Sequence, residues 1–87
     1  MVYRVEFRPA AARDLKKLGR DIARRIVART EALGATPRPP GAKKLEGHDR
    51  RYRVRVGEYR IVYDIEDAVL LVLVVRVGHR REIYRLL

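Results

Sequence analysis

The segment YRVRVGEYRIVY, residues 52 to 63, constrains this chain more than any other stretch. Apolar and charged residues alternate up to Val56, break at Gly57-Glu58, and alternate again from Tyr59. Period-two alternation makes a half-buried strand, and a two-residue break with glycine first suits a type II′ hairpin turn. That hairpin sets Val56 opposite Tyr59 and Arg55 opposite Arg60, with Arg53 two residues along on the same face. Three guanidinium groups then share one side of a sheet, two of them directly opposed, an arrangement that destabilises an ordinary strand pair. The patch calls for an explanation beyond folding. A solvated edge-strand face is the bland one, and an anionic ligand is the functional one.

Charge balance favours the second. Lys and Arg number 21 against 11 Asp and Glu, a net charge of +10 on 87 residues. Such a field attracts nucleic acid, a ribosome or an acidic protein, and less readily an anionic membrane surface. Arginine dominates the basic residues, and guanidinium grips phosphate with a planar fork where ammonium acts as a point charge. A merely soluble, arginine-rich surface accounts for the same composition. With no cysteine, a disulfide framework and thiol chemistry are excluded, which fits a cytoplasmic protein. His48 and His79 are the only histidines and neither lies in a ligand-spaced cluster, so neither a metal nor any other cofactor is expected. No apolar run is long enough for a membrane span, and no signal-peptide pattern is present. The length suits a single domain, 1–87.

The remaining patterns supply the layers. VYRVEF (2–7) alternates as a first strand with Tyr3, Val5 and Phe7 on one face. Pro9 suits the first turn of a helix, and Ala11, Leu15, Leu18 and Ile22 form a helical stripe, with Gly19 as the expected C-terminal cap. Asp21 starts a second helix with Ile22, Ile26, Arg29 or Thr30, and Leu33 inside, ending at Gly34. A proline-stiffened loop ATPRPPG (35–41) and a polar approach AKKLEGHDRR (42–51) lead to the hairpin. After a turn at Glu66-Asp67, AVLLVLVVRV (68–77) is apolar on both faces, as a central strand is. A three-residue turn at 66–68 would set Arg60 near Val74 and Glu58 near Arg76; a two-residue turn is the alternative. At the strand's end Arg76, Gly78 and Arg80 share a face. The expected fold is α+β, ordered β-α-α-β-β-β: two antiparallel N-terminal helices on one face of a mostly antiparallel four-stranded sheet. The other face, with Arg53, Arg55 and Arg60, is left as an open basic groove.

This order, with DLKKL in the first helix, KKLEG before the hairpin, YRVRVGEYRIVYDIED and VVRVGHRREIYR, resembles the RelE branch of the RelE/ParE toxin superfamily over nearly the whole chain. The resemblance implies a toxin of a type II toxin-antitoxin system with three partners: a cognate antitoxin protein, messenger RNA and the ribosome with its rRNA. It implies a ribosome-dependent endoribonuclease that cleaves mRNA in the ribosomal A site by attack of the neighbouring 2′-hydroxyl, without metal. By the same resemblance the catalytic positions are Arg55, Arg60, Arg80 and Tyr84, and Arg53 and Arg55 bind RNA. Well-known members carry lysine at positions 53 and 55. Arginine keeps the charge but stays protonated, which leaves the general base unassigned.

The chemistry agrees with the residue types. Transesterification at phosphorus concentrates negative charge on equatorial oxygens, where preorganised guanidinium groups stabilise the transition state. Tyr84 is a candidate base or a platform for a splayed nucleobase, and equally an anchor for the tail. Lys43, Lys44, Arg76 and Arg81 are further candidate RNA contacts. Arg60 and Arg80 have a competing use in ion pairs with Asp64, Glu66 or Glu82. His79 titrates in a useful range but has parity opposite to Arg80. Tyr52, Tyr59, Ile61 and Tyr63 read as core or rim. Two other functions fit the same fold: a ParE-like gyrase-inhibiting toxin, and a catalytically silent RNA- or ribosome-binding module.

Overall fold

The hairpin forms as its alternation dictates. In the computed structural model, which describes residues 2–85, β3 (Arg51–Val56) pairs antiparallel with β4 (Tyr59–Glu66). Val56 lies opposite Tyr59 and Arg55 opposite Arg60. Gly57 has φ of 58° and Glu58 does not share the left-handed region, as a type II′ turn requires. A Cβ at position 57 would stand 3.2 Å from the Arg25 guanidinium, the movable tip of a flexible side chain, so the positive φ is what calls for glycine.

The remaining elements are β1 (Arg4–Phe7), α1 (Pro9–Lys17), α2 (Arg20–Ala35), β2 (Lys43–Lys44) and β5 (Leu71–His79). The sheet order is β1-β5-β4-β3-β2, with β1 parallel to β5 and the other neighbours antiparallel. The α+β class and element order stand, but the sheet has five strands rather than four. The addition is β2, two lysines with no alternation to announce them. Gly19 is also reassigned: with φ −63° and ψ 156° it is the N-cap of α2 instead of a C-cap for α1.

Both helices pack on one face. Ala11, Ile26 and Leu33 are fully buried there with Ile61, Tyr63, Ile65, Val72, Val74 and Val77. Thr30, rather than Arg29, completes the inner face of α2; its hydroxyl donates to the Val27 carbonyl at 2.7 Å. Gly34 lets α2 touch β1, for a Cβ there would meet the Tyr3 carbonyl at 2.9 Å. The Tyr63 hydroxyl donates to the Pro37 carbonyl at 2.7 Å, and burial pushes its pKa up to about 12.

The opposite face differs from expectation in two ways. The β4–β5 turn is a four-residue one, a 3-10 turn over Asp67–Val69 followed by Leu70 in the left-handed region, and Glu66 pairs with Leu71. A bulge follows between Val62 and Tyr63, leaving Val75 as the extra residue. Arg60 therefore lies opposite Gly78, not Val74, and Glu58 meets Arg80, not Arg76. The second difference is a small apolar cluster of Val62, Val75 and Ile83 with Leu45 against it, so the C-terminal turn Ile83–Arg85 is docked on this side.

Candidate nucleic-acid interface

Cross-strand register assembles the basic face. Lys43 on β2 pairs with Arg53 on β3, which pairs with Val62; one pleat along, Arg55 pairs with Arg60, which pairs with Gly78. Residues in register share a face, so Lys43, Arg53, Arg55 and Arg60 all project to the side away from the helices. Together with Gly41 and Val54 they line a hollow of about 400 Å³. None of these four cations takes part in the six ion pairs among the described residues.

Arg60 is the most constrained member. Its Nε is buried with no hydrogen-bond partner, and one terminal nitrogen reaches only the Tyr59 carbonyl, at 3.4 Å. A buried unpartnered donor costs about 1–3 kcal/mol, which an anionic acceptor entering the hollow would recover. Tyr84, half-exposed, stands with its ring 5.9 Å from the Arg53 guanidinium. Ile83, its neighbour in the turn, has no exposed surface and anchors the backbone there.

Arg80 lies at the rim. Its Nε donates to Glu58 at 2.6 Å and its backbone N–H to the Glu58 carbonyl at 2.8 Å, tying the end of β5 to the tip of the hairpin. Of the acids considered as partners, Asp64 binds Arg51, Glu66 binds Arg50, and Glu82 takes part in none of the ion pairs among the described residues. Arg81 is exposed on the turn after β5. His79 is withdrawn from the hollow, edge-on to Tyr59 at 5.6 Å, with Nδ1 accepting the Arg81 N–H.

Two of the candidate RNA contacts are placed elsewhere. Lys44 pairs with Tyr52 and so points opposite to Lys43, because side chains alternate along a strand. Arg76 is committed to Asp14 of α1, which accepts its Nε at 2.8 Å and a terminal nitrogen at 2.9 Å. The cause is local. β1 pairs with β5 only up to Val74, and beyond it Asp14 takes over, accepting the Val77 N–H at 3.0 Å. Burial alone would push the Asp14 carboxyl up, but the hydrogen bonds from Arg76 and Val77 hold it below the usual range. Asp14 escaped the sequence reading although it lies three residues after Ala11, within the buried stripe, where an acid signals a partnered site.

A second tether shapes the loop that carries Gly41. Arg38 lies 5.3 Å over the Tyr52 ring and binds Asp67 at 2.8 Å, while the Tyr3 hydroxyl donates to the same carboxylate at 2.6 Å. Hydrogen bonds from Arg38 and Tyr3 lower the Asp67 pKa, and the bond to Asp67 raises that of the Tyr3 hydroxyl. The loop is thereby fixed across the sheet from β1 to β3.

The comparisons agree with this geometry. Residues 5–84 match the family described as the ParE toxin of type II toxin-antitoxin systems. The chain is 36% identical to Toxin RelG of Mycobacterium tuberculosis, over 98% of this chain and 99% of that one. It is 32% identical to a putative RelE-like toxin protein of Escherichia coli, over 99% of this chain and 94% of that one. Among solved structures, the RelBE2 toxin-antitoxin complex of M. tuberculosis aligns with TM-score 0.83 and 33% identity, covering 92% of this chain and 93% of that one. The archaeal RelE-RelB complex of Pyrococcus horikoshii aligns with TM-score 0.80 and 27% identity, covering 92% and 97%. A cation-lined sheet face on this fold, with relatives of that kind along its full length, makes the chain a member of the RelE branch of the RelE/ParE superfamily, toxins of type II toxin-antitoxin systems.

Proposed function

We propose that this toxin is a ribosome-dependent endoribonuclease that cleaves messenger RNA in the ribosomal A site and so stops translation in the cytoplasm. One observation carries the reading: Lys43, Arg53, Arg55 and Arg60 line a single hollow, none ion-paired among the described residues, and Arg60 keeps a buried donor unsatisfied there. Such a site fits a phosphodiester whose charge grows during reaction. Arg53 and Arg55 hold the RNA backbone, and Arg55, Arg60 and Arg80 stabilise the equatorial oxygens while the 2′-hydroxyl attacks. Tyr84, beside Arg53, supports the nucleotide at the scissile bond by stacking. Arg81 extends the phosphate contacts. No three His, Cys, Asp or Glu residues among those described converge as metal ligands would. The partner is an antitoxin, supported by relatives solved in complex with RelB.

Expression of the chain with mapping of new 5′ ends in cellular RNA tests the reading, with DNA supercoiling assayed in parallel. New ends within translated codons, carrying a 2′,3′-cyclic phosphate on the upstream fragment and persisting in excess chelator once the ribosomes' own magnesium is supplied, are expected. A 3′-hydroxyl product counts against 2′-hydroxyl attack. The matched family's ParE name gives the second reading: loss of supercoiling without new RNA ends would make this a gyrase inhibitor. Blocked translation with neither effect would make it a silent ribosome-binding module.

A further inference from the structure

Attack by a 2′-hydroxyl needs a group that takes its proton, and the hollow is nearly devoid of one. Arg53, Arg55 and Arg60 stay protonated in proteins and accept nothing. His79 faces Tyr59 on the other side of the sheet and spends Nδ1 on the Arg81 N–H, and His48 lines separate hollows beside Gly47 and Asp49. Glu58 and Asp64, the acids nearest the hairpin, are held by Arg80 and Arg51. Of the side chains lining the hollow, one remains that gains and loses a proton: Lys43.

We propose that Lys43 is the general base of the cleavage reaction, a role that rests on the endoribonuclease reading above. Its position is built by the fold. The two-residue strand β2 exists only as an edge to β3, and its register sets Lys43 directly opposite Arg53 on the groove face. Directly opposed side chains stand about 5 Å apart at Cβ. A lysine amine on its flexible stem therefore reaches the phosphodiester that Arg53 grips. The loop ahead of it is pinned by Arg38 to Tyr52 and Asp67, and Leu45 behind it packs on the Val62–Val75–Ile83 cluster. The strand is held at both ends, with Lys43 between.

The step balances simply. The neutral amine of Lys43 takes the 2′-hydroxyl proton and becomes ammonium, while the 2′-oxygen forms a bond to phosphorus. The bond from phosphorus to the 5′-oxygen breaks, and that oxygen leaves with the electron pair and takes a proton from water. The products are a 2′,3′-cyclic phosphate and a 5′-hydroxyl, and Lys43 returns its proton to solvent. The ammonium formed lies beside the charge developing on phosphorus and adds to the arginines' field.

Lys43→Arg separates this role from a charge contact, since it keeps the positive charge and removes the proton acceptor. Single-turnover cleavage on messenger-programmed ribosomes would be followed from pH 6 to 9 for wild type, Lys43→Arg, Lys43→Ala and Tyr84→Phe, with toxin–ribosome affinity and thermal melts measured alongside. The wild-type rate is expected to rise with pH. Lys43→Arg should bind ribosomes like wild type, melt like wild type, and cleave about 100-fold or more slowly with that rise abolished. Tyr84→Phe should keep the rise. If Lys43→Arg cleaves with the wild-type pH profile, or Tyr84→Phe alone removes the rise, Lys43 is a phosphate contact and the proposal is wrong. If the wild-type chain itself cleaves nothing on ribosomes, the endoribonuclease reading falls and this proposal falls with it.

Discussion

At the scale of one residue Arg60 stands apart, because its Nε is already desolvated with no hydrogen-bond partner among the described residues. On the proposed reading, replacing it takes away a donor that meets the scissile phosphate. Arg60→Ala and Arg80→Ala should each lower the cleavage rate by about two to three powers of ten with folding retained, as loss of an oxyanion donor does. Single-turnover kinetics and circular dichroism check both halves. The two should differ in one respect: Glu58→Gln should partly reproduce Arg80→Ala, since Glu58 fixes the Arg80 side chain, and should leave Arg60 untouched. Asp14 shows the opposite logic, a charge spent wholly on structure. Its folded-state pKa lies below the ordinary 3.8, so its ion pair contributes fully above the unfolded value and is lost as pH falls through the folded one. Asp14→Asn should destabilise by about 2–4 kcal/mol at pH 7, because Arg76 and the Val77 N–H lose a charged acceptor. Thermal melts should show that gap closing below about pH 4, where the wild-type carboxyl also protonates. A gap that persists in acid would mean Asp14 acts through packing alone.

Elements decide which of these side chains meet. The bulge in β5 is the instructive case, for it frees Val75 to pack with Val62 and Ile83 on the groove side while Val74 and Val77 stay in the main core. Ile83→Ala should leave a cavity costing about 2–4 kcal/mol. It should also release Tyr84 from Arg53, lowering cleavage beyond what the stability loss explains; an intact rate at a temperature where the variant is fully folded would show that the turn has no part in the reaction. The hairpin, the helical stripes and the buried central strand were legible because each is a period written over six or more residues. What escaped was written over fewer. Lys43-Lys44 is too short to alternate, so the strand that brings Lys43 opposite Arg53, and turns Lys44 away, left no trace. The β4–β5 turn places Leu70 at φ 52°, a conformation that glycine or asparagine would have advertised and leucine does not. The register of β5, and with it the Glu58–Arg80 pair, followed that turn out of view. The shared face of Arg53, Arg55 and Arg60 was legible because two-residue hairpin geometry leaves no freedom in their pairing.

For the whole molecule, the distribution of the acids matters as much as the excess of bases. Six of the 11 acidic residues are bound in ion pairs, to Arg4, Arg38, Arg50, Arg51, Arg76 and Arg80, and none of the six reaches Lys43, Arg53, Arg55 or Arg60. The fold thus keeps these ion pairs out of the hollow, whose cations add to the field of a molecule of net charge +10. An antitoxin that silences this toxin has two ways to bind. Acidic side chains laid into the hollow would relieve the repulsion among the cations, yet exposed charge pairs are individually weak and screened by salt. Apolar residues have separate purchase on the outer face of α2, where Ala23, Val27 and Ala28 lie between Arg20, Arg24 and Glu31. A segment that folds on binding must offset its ordering entropy, and apolar burial is the larger and salt-insensitive source. Charge then governs encounter, and burial governs residence. Surface plasmon resonance across ionic strength should accordingly show association slowing about tenfold or more between 50 and 500 mM salt, with dissociation nearly constant. A complex that falls apart at moderate salt through faster dissociation would instead be held by the hollow's charges, and the antitoxin would then be a direct competitor of RNA for Arg53, Arg55 and Arg60.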